Sequence, residues 1–366
     1  MAEPYVPDLF VGRTTPLANI IGWTYEKNPV QRVLSVVGPP GVGKSYLLHR
    51  TYDSLKAAGR LVFWIDLSRD PAIRGECPDV IIKDGPHQWL KMAIEQSRKV
   101  CKHVRGYDGT TSLEVGMYSL ATDLCERCDL MPILVVDGFE EIDQAWRDWL
   151  EESMLAQFIS RDCTRIIIGR RDEFALNSPS LRWTEGKEIL SVMDEAESGL
   201  QVKTRLKNWD KRKRRTHDTK YLPPTELIEN LHTLYAIPPY AWNHPGINTF
   251  LLERIVPRHQ AGSEAYLTAD DLRRCVLEIT TATAQLSQPQ LECLLAVATR
   301  LPLTWANEDL TDNLKIVIED EDLAELFRRG IVFNIEGTPL YQVADGIREL
   351  IQTWQGLLNL PLRQEG

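Results

Sequence analysis

The chain has 366 residues, enough for roughly two or three compact domains, and its 43% hydrophobic and 26% charged residues are typical of a folded protein. Its formal net charge of -10 argues against binding of nucleic acid or acidic membranes by the whole surface. No secretory signal is visible, and no apolar run is long enough to cross a bilayer.

The seven scattered cysteines fit a reducing cytosol better than a disulfide framework, so we expect a cytoplasmic protein. We interpret Cys125 and Cys128, a lone CxxC, as two thiols on a helix rather than as zinc ligands.

The first 195 residues alternate short β-branched runs with helical stretches, which is the pattern of a parallel sheet covered by helices. We predict a helix from Tyr46 to Ala58 and a mostly helical stretch over residues 88–128. The predicted strands are apolar without alternation, which indicates burial on both faces. These strands are residues 33–37, 61–65, 133–136, 165–168 and 187–192. The sequence therefore predicts an α/β domain over residues 1–195 with helices on both faces of its sheet.

The character of the chain changes after this domain. A strongly basic stretch, Lys203 to Lys220, indicates a boundary or an exposed insertion. Residues 225–256 are helical in period but interrupted by prolines, and we assign residues 196–285 to a helical domain. Predicted helices are followed by a hairpin of residues 331–335 and 340–343, which predicts a winged-helix domain over residues 286–366.

A glycine-rich loop follows the first predicted strand and opens the first predicted helix. Residues 38–45, Gly-Pro-Pro-Gly-Val-Gly-Lys-Ser, match G-x-x-x-x-G-K-[ST] in full, in the strand-to-helix context that a phosphate-binding loop requires. Lys44 should reach the β- and γ-phosphates, and the Ser45 hydroxyl should bind Mg²⁺. The candidate nucleotide contacts here are Gly38, Gly41, Val42, Gly43, Lys44, Ser45 and Tyr46.

A carboxylate ends the third predicted strand. At the carboxyl edge of a parallel sheet Asp137 would face the nucleotide and hold Mg²⁺, although an Asp in this position can also cap a strand end. Glu140 and Glu141 follow, and either can polarise the attacking water or simply begin a helix with favourable charge. Many P-loop ATPases place this acid directly after the Asp, where Gly138 stands here, so we expect slow hydrolysis.

Two arginines end the fourth predicted strand. Arg170 is a candidate nucleotide contact, and Arg171 can sense or stabilise the γ-phosphate. Arg171 can alternatively pair with Asp172 or Glu173 in a surface ion network.

A family resemblance joins these motifs. Phe10-Val11-Gly12-Arg13, upstream of the phosphate loop, resembles the motif that opens the signal-transduction ATPases with numerous domains, the STAND class, which includes NACHT and NB-ARC proteins. Asp137-Gly138-Phe139-Glu140-Glu141 is similar to the acidic motif of NACHT-type members, and the arginine-ending strand also has a counterpart in the family. The resemblance implies that Val11, Gly12 and Arg13 contact the base and ribose. It also implies an adenine contact from Pro245, although Asn243 stands where the family usually has Gly.

The same resemblance implies an ATP-dependent switch with Mg²⁺ as cofactor. ADP would hold the winged helix against the ATPase core, and ATP with a trigger would release it for self-association. Typical members add an effector domain and a sensor repeat array, so we expect a separately encoded effector or sensor partner. ATP is expected rather than GTP, because no guanine-reading Asn-Lys-x-Asp motif is present.

Two other functions compete with the switch. A nucleic-acid-handling AAA-type ATPase, such as a loader or transposition regulator, would use the winged helix and the basic run Lys211 to Arg215, which can also be a solvated linker. A small-molecule kinase ranks last, because nothing between the phosphate loop and the second strand resembles an acceptor pocket or an arginine lid.

Overall fold

The protein is described from a computed structural model. It describes residues 5–27, 29–38, 41–67, 86–107, 109, 111–142, 144–171 and 175–215. In the remainder of the chain it describes residues 245–246, 248–249, 252, 290, 294, 297, 304–306, 309, 326, 332–335, 338–343 and 348.

Five parallel strands and eight helices make up most of the described structure. The strands of this sheet are β1 (Val33–Val37), β2 (Val62–Asp66), β3 (Ile133–Asp137), β4 (Arg165–Arg170) and β5 (Glu185–Ile189). The helices are α1 (Thr14–Thr24), α2 (Lys44–Ala57), α3 (Pro86–Val100), α4 (Leu113–Thr122), α5 (Gln144–Trp149), α6 (Ala156–Ile159), α7 (Pro179–Arg182) and α8 (Glu195–Arg215). Short 3₁₀ segments cover Pro7–Leu9 and Phe139–Glu141, and π-helical segments cover Asp123–Arg127 and Leu150–Leu155.

The sheet has the strand order β2-β3-β4-β1-β5, and every pairing in it is parallel. Its four strands other than β5 are buried along their whole length, as their continuous apolar sequences predicted. The strand β5 lies at the edge, where Gly186 is buried and Lys187 and Ile189 are exposed. In a parallel sheet the carboxyl ends of all strands meet at one edge, so Asp137 and the loop after β1 lie at the same edge.

Helices cover both faces of the sheet. Phe63 of β2 packs edge-on against Trp89 of α3, with ring centroids 6.0 Å apart, within an apolar core. The next residue of the strand, Trp64, points to the opposite face and stacks on His49 of α2 at 4.2 Å. The predicted α/β fold with a helix-covered parallel sheet is therefore confirmed.

Several boundaries differ from the predicted ones: β3 and β4 extend to Asp137 and Arg170, and α2 runs from Lys44 to Ala57 instead of Tyr46 to Ala58. The strand β2 extends to Asp66, one residue further than predicted, and β5 ends at Ile189, since the chain leaves the sheet before Val192. The predicted helical stretch over residues 88–128 is not one helix, because α3 ends at Val100 and the described residues between it and α4 are not helical.

The chain divides into two compact units, and each is described separately. The first contains residues 1–7, 14–38 and 44–190, and the second contains residues 8–13, 39–43 and 191–366. In the second unit the strands β6 (Thr304–Trp305), β7 (Val332–Asn334) and β8 (Tyr341–Val343) form an antiparallel sheet of order β6-β8-β7. The predicted hairpin is confirmed by the β7–β8 pairing, while most of the predicted winged helix lies outside the described residues.

The helix α8 contains the basic run at its C-terminal end. Its backbone is helical through Arg215, so Lys211 to Arg215 continue the helix rather than form an irregular linker. The side chains of this run lie outside the described residues. No helix in the described part of the chain is both long and apolar enough to cross a membrane.

The expectation of unpaired cysteines is wrong. Cys101 bonds to Cys128 and Cys125 bonds to Cys163, each with Cα atoms 6.0 Å apart. The two members of the CxxC therefore join different partners, with Cys125 inside the π-helical segment Asp123–Arg127 and Cys128 directly after it. Spacing along the sequence did not indicate this, since 27 and 38 residues separate the bonded pairs.

Candidate functional site

The phosphate loop has the backbone geometry that its glycines allow. Gly41 and Gly43 have φ angles of 71° and 97°, in the left-handed region that side chains with a Cβ disfavour. Such turns direct successive backbone N–H groups to one side, where they can bind phosphate oxygens. The helix α2 begins at Lys44, and the Lys44 Nζ atom donates a 2.9 Å hydrogen bond to the Gly38 carbonyl. The lysine is thus folded back over the loop, where a phosphate would bind.

The predicted metal ligands come together. The hydroxyl of Ser45, on the first turn of α2, donates to the Asp137 carboxylate with an Oγ–Oδ1 distance of 3.1 Å. Asp137 ends β3, and its side chain is buried, with a 4% exposed fraction for the residue. A Ser hydroxyl and a strand-end carboxylate in contact are the pair that a P-loop fold presents to Mg²⁺.

The turn after Asp137 explains where the next acid lies. Gly138 has φ 74° and ψ 28°, a left-handed conformation that would strain a glutamate in its place. It precedes the 3₁₀ turn Phe139–Glu141, which contains Glu140. Glu140 lies 3.8 Å from the Lys44 Nζ atom through its Oε1 atom, and both side chains are largely buried. Glu141 ends the turn, and its side chain lies outside the described residues.

The residues at this edge fit a bound Mg²⁺ ion. The Asp137 Oδ2 and Glu140 Oε2 atoms are buried and have no hydrogen-bond partner among the described residues. Buried carboxylate oxygens normally have partners, so these two atoms suit a cation or its water ligands. In the described part of the chain, no three His, Cys, Asp or Glu side chains form a complete metal site. Mg²⁺ would therefore rely on Ser45, Asp137, phosphate oxygens and water.

The electrostatics of Asp137 reflect the same arrangement. Burial, followed by the negative charges of Asp66 and Glu140, raises the pKa of Asp137 to about 7, while hydrogen bonds from the Ser45 hydroxyl and the Gly138 N–H act in the opposite direction. The charged form of Asp137 is thus disfavoured unless a cation is present.

Arg13 holds the outer side of the phosphate loop within the second unit. Its Nη2 atom donates to the carbonyls of Val42 at 3.1 Å and Ser191 at 2.6 Å, and its backbone N–H donates to Glu197 at 2.7 Å. Arg13 has φ 57°, which is uncommon outside glycine, and Gly12 before it has φ 69°. A Cβ atom on Gly12 would lie 2.9 Å from the Glu197 carboxyl group, so the glycine permits this approach.

Val11 and Pro245, the other two residues that the family resemblance indicated, belong to the same unit as Arg13. Val11 is half-buried and directly precedes Gly12. Gly246, next to Pro245, donates its backbone N–H to the Gly41 carbonyl at 3.1 Å. The Pro245 carbonyl accepts hydrogen bonds from Gln201 of α8 and from Thr249. The nucleotide contacts predicted for Val11, Gly12, Arg13 and Pro245 remain predictions.

The two arginines at the end of β4 are both buried. Arg170 is level with Val37 in the register of β1, but its Nε atom donates to Ser35 and its Nη2 atom donates to Glu185 at 2.7 Å. Its guanidinium thus points back into the sheet, away from the carboxyl edge. A nucleotide contact from Arg170 stays a prediction and would require it to leave these partners. Arg171, the next residue, stays the predicted γ-phosphate sensor.

Tyr46 lies on the first turn of α2, half-buried, with its ring edge-on to Tyr5 at a centroid distance of 5.3 Å. Its nucleotide contact also stays a prediction.

Two residues near Asp137 in the first unit and one near Arg13 in the second unit were not predicted from the sequence. Asp66 ends β2 beside Asp137, and its signal was the same pattern of an apolar strand ending in a carboxylate. Gly169 allows close packing, because a Cβ atom there would lie 2.5 Å from Leu48 and 3.3 Å from the Asp137 carboxylate. Glu197 has no recognisable sequence signal, since only the fold brings it to Arg13.

A parallel sheet of this order, with a phosphate loop between β1 and α2, is the α/β fold of P-loop nucleoside triphosphatases.

No protein-family model and no curated protein matches the sequence. Among solved structures, the chain is similar to the Cdc6p protein of Pyrobaculum aerophilum, with 15% identity, 96% of this chain and 98% of that chain covered, and a TM-score of 0.45. It is similar to the ORC2 protein of Aeropyrum pernix, with 14% identity, 98% and 96% covered, and a TM-score of 0.47. A STAND protein with a tetratricopeptide repeat sensor from Pyrococcus horikoshii matches with 18% identity, 98% of this chain but 46% of that chain covered, and a TM-score of 0.39.

Proposed function

We propose that this chain is an ATP-dependent molecular switch, in which the nucleotide controls self-association and the engagement of a separate effector or sensor protein. The domain division at about residues 195 and 285 belongs to the same proposal. Lys44, Ser45 and Asp137 would hold the phosphates and Mg²⁺, and the bound ion would neutralise charge on the transferring phosphoryl group.

One observation carries the proposal. The carbonyls of Gly41 and Val42 accept hydrogen bonds from Gly246 and Arg13, which belong to segments outside the sheet. Peptide N–H and C=O groups point in opposite directions, so a partner on the carbonyl side leaves the N–H side open for phosphate. A phosphate loop bound in this way can transmit a change in its ligand to the residues that hold its outer side.

Slow hydrolysis fits a switch better than a motor. Gly138 stands directly after Asp137 in a left-handed conformation that would strain a glutamate, and Glu140 pairs with Lys44. Glu140 would need to move away from Lys44 to polarise a water molecule, unless Glu141 performs that role. Arg171 would stabilise the γ-phosphate.

The test measures nucleotide binding and molecular mass together. Mass by light scattering is compared for the protein with ADP, with ATP and Mg²⁺, and with a nonhydrolysable ATP analogue. We expect a larger mass with triphosphate only, and loss of both binding and assembly in Lys44→Ala, because the phosphates lose their lysine. Lys187→Ala, an exposed lysine on β5, is the matched control and should behave as wild type. An unchanged mass in every nucleotide state would contradict the switch.

The competing function is a nucleic-acid-handling ATPase. It is favoured by one observation, that Lys211 to Arg215 extend α8 as continuous helix. A helical basic run can follow a phosphate backbone, and its binding would weaken steeply with salt. DNA binding that is sensitive to salt and lost when this run is replaced by glutamines would favour this function over the switch.

A further inference from the structure

Asp66 and Asp137 occupy equivalent positions on neighbouring strands. They are partners in the parallel register of β2 and β3, and each is the last residue of its strand. The ladder continues beyond them, because the Leu67 N–H donates to the Asp137 carbonyl at 2.9 Å. Paired residues of adjacent strands point to the same face of a sheet and lie about 5 Å apart. Both residues are buried, with exposed fractions of 3% for Asp66 and 4% for Asp137.

These two aspartates and Glu140 place three carboxylates at one edge of the sheet. Like charges at such distances are costly in a buried site unless a cation or protons neutralise them. A second, independent observation points to a ligand. The Asp137 Oδ2 and Glu140 Oε2 atoms are buried without a hydrogen-bond partner among the described residues.

The strand order determines which role Asp66 can have. Asp137 contacts Ser45 directly, whereas Asp66 lies one strand further from β1 and the phosphate loop. No three acidic or other ligating side chains among the described residues form a closed metal site, so Asp66 is not placed as a direct ligand. Mg²⁺ usually retains several water molecules, which a carboxylate one strand away can orient.

We propose that Asp66 is a second strand-end carboxylate of the Mg²⁺ site, and that it orients water in the outer shell of the ion. This inference rests on the proposed nucleotide site. Asp66 is a positioning residue: it acts through water molecules and through its neighbour Asp137, and it takes no part in phosphate binding. Asp66→Asn should therefore change metal affinity and leave metal-free nucleotide binding intact.

The experiment uses Mn²⁺ as the probe ion and the full chain. Free Mn²⁺ is counted by electron paramagnetic resonance, the affinity for a fluorescent ADP analogue is measured in EDTA, and Tm is measured in EDTA. We expect Asp66→Asn to weaken Mn²⁺ affinity by about 10–100-fold, as removal of outer-shell partners does, while ADP affinity in EDTA stays unchanged. We also expect a higher Tm in EDTA, because one of the repelling charges is gone. Asp162→Asn, whose side chain is 94% exposed, is the matched control and should leave both affinities unchanged without raising Tm.

Each contrary result identifies what fails. Unchanged Mn²⁺ affinity, absence of Mn²⁺ binding by the wild type, or loss of ADP affinity in EDTA would overturn the role of Asp66. A lower Tm or a failure of Asp66→Asn to fold would overturn it too, by showing that the metal-free fold needs the carboxylate. Mn²⁺ binding that depends on Asp66 in a protein that binds no nucleotide would instead support the metal site and contradict the proposed function.

Discussion

Two groups of largely buried charged residues lie in or next to the same five-stranded sheet, and they differ in how their charges are satisfied. In the first, the Arg170 guanidinium bonds to Ser35 and forms a 2.7 Å ion pair with Glu185, and Ser35 also donates to Glu185. In the second, Asp66, Asp137 and Glu140 bring like charges together, and Asp137 and Glu140 each keep a buried oxygen without a partner in the described structure. A closed set of partners indicates a role in the fold, whereas buried acids with open oxygens indicate a ligand.

The largest expected effect comes from breaking the closed group. Arg170→Met leaves the largely buried Glu185 carboxylate without its charge partner, and we expect the free energy of unfolding to fall by about 3–5 kcal/mol in urea titrations. Asp162→Asn breaks the exposed ion pair with Arg32 and should cost at most about 1 kcal/mol. Adding Glu185→Met to Arg170→Met should restore much of the loss, because no unpaired charge remains. Equal losses in Arg170→Met and Asp162→Asn would show that the closed group contributes little to stability.

The group formed by Asp66, Asp137 and Glu140 should make the free energy of unfolding depend on pH. The pKa of Asp137 is about 7 in the folded protein and about 3.8 when unfolded, so the folded state binds more protons between these values. The stability that Asp137 contributes by binding a proton in the folded state is complete below pH 3.8 and is lost as the pH rises to about 7. In EDTA, we expect the stability of Asp137→Asn relative to wild type to increase over this window by at most about 1.4 kcal/mol per pH unit, then level off. Urea titrations at several pH values measure this difference, and one that does not vary with pH would contradict the raised pKa.

A smaller effect on stability is expected at Gly169 of β4, which precedes Arg170 and lies against the Asp137 carboxylate. Gly169→Ala would push against Leu48 and the Asp137 carboxylate, and we expect a loss of about 1–3 kcal/mol in stability together with weaker Mn²⁺ binding. Gly22→Ala is the control, because a Cβ atom on Gly22 of α1 meets nothing within 4 Å. It should instead gain about 0.5–1 kcal/mol from helix propensity. A Gly169→Ala protein as stable as wild type would show that Leu48 yields easily.

The smallest effect concerns the turn after Asp137. Gly138→Ala places a Cβ atom at φ 74° and should cost about 1–2 kcal/mol in unfolding free energy, measured in urea. Gly138→Asn should lose less, since Asn tolerates the left-handed region better. Equal losses for the two variants would indicate a steric clash rather than backbone strain.

The sequence predicted the sheet and one half of the site better than the other half. Asp137 and Ser45 could be predicted because each follows a recognisable strand or loop pattern, and their 3.1 Å contact agrees with that pattern. Asp66 was not predicted because its role depends on β2 lying beside β3, and the local hydrophobic pattern of a sequence does not determine the order of strands in a sheet. The direction of the Arg170 side chain could not be predicted either. A strand-end arginine can face the carboxyl edge or fold back into the sheet, and here it folds back to bond to Glu185, 15 residues later.

The ion pair of Arg170 also bears on how the chain folds during synthesis. Glu185 follows Arg170 by 15 residues and Ser35 by 150 residues. While a ribosome is still making the segment before residue 185, the carboxylate that pairs with Arg170 does not yet exist, so the sheet cannot enclose this arginine in its final form. The first strand must therefore wait, with its edge toward β5 uncovered, until nearly the whole first unit has emerged. The earliest time at which the newborn sheet can close is thus set by its last and most polar strand.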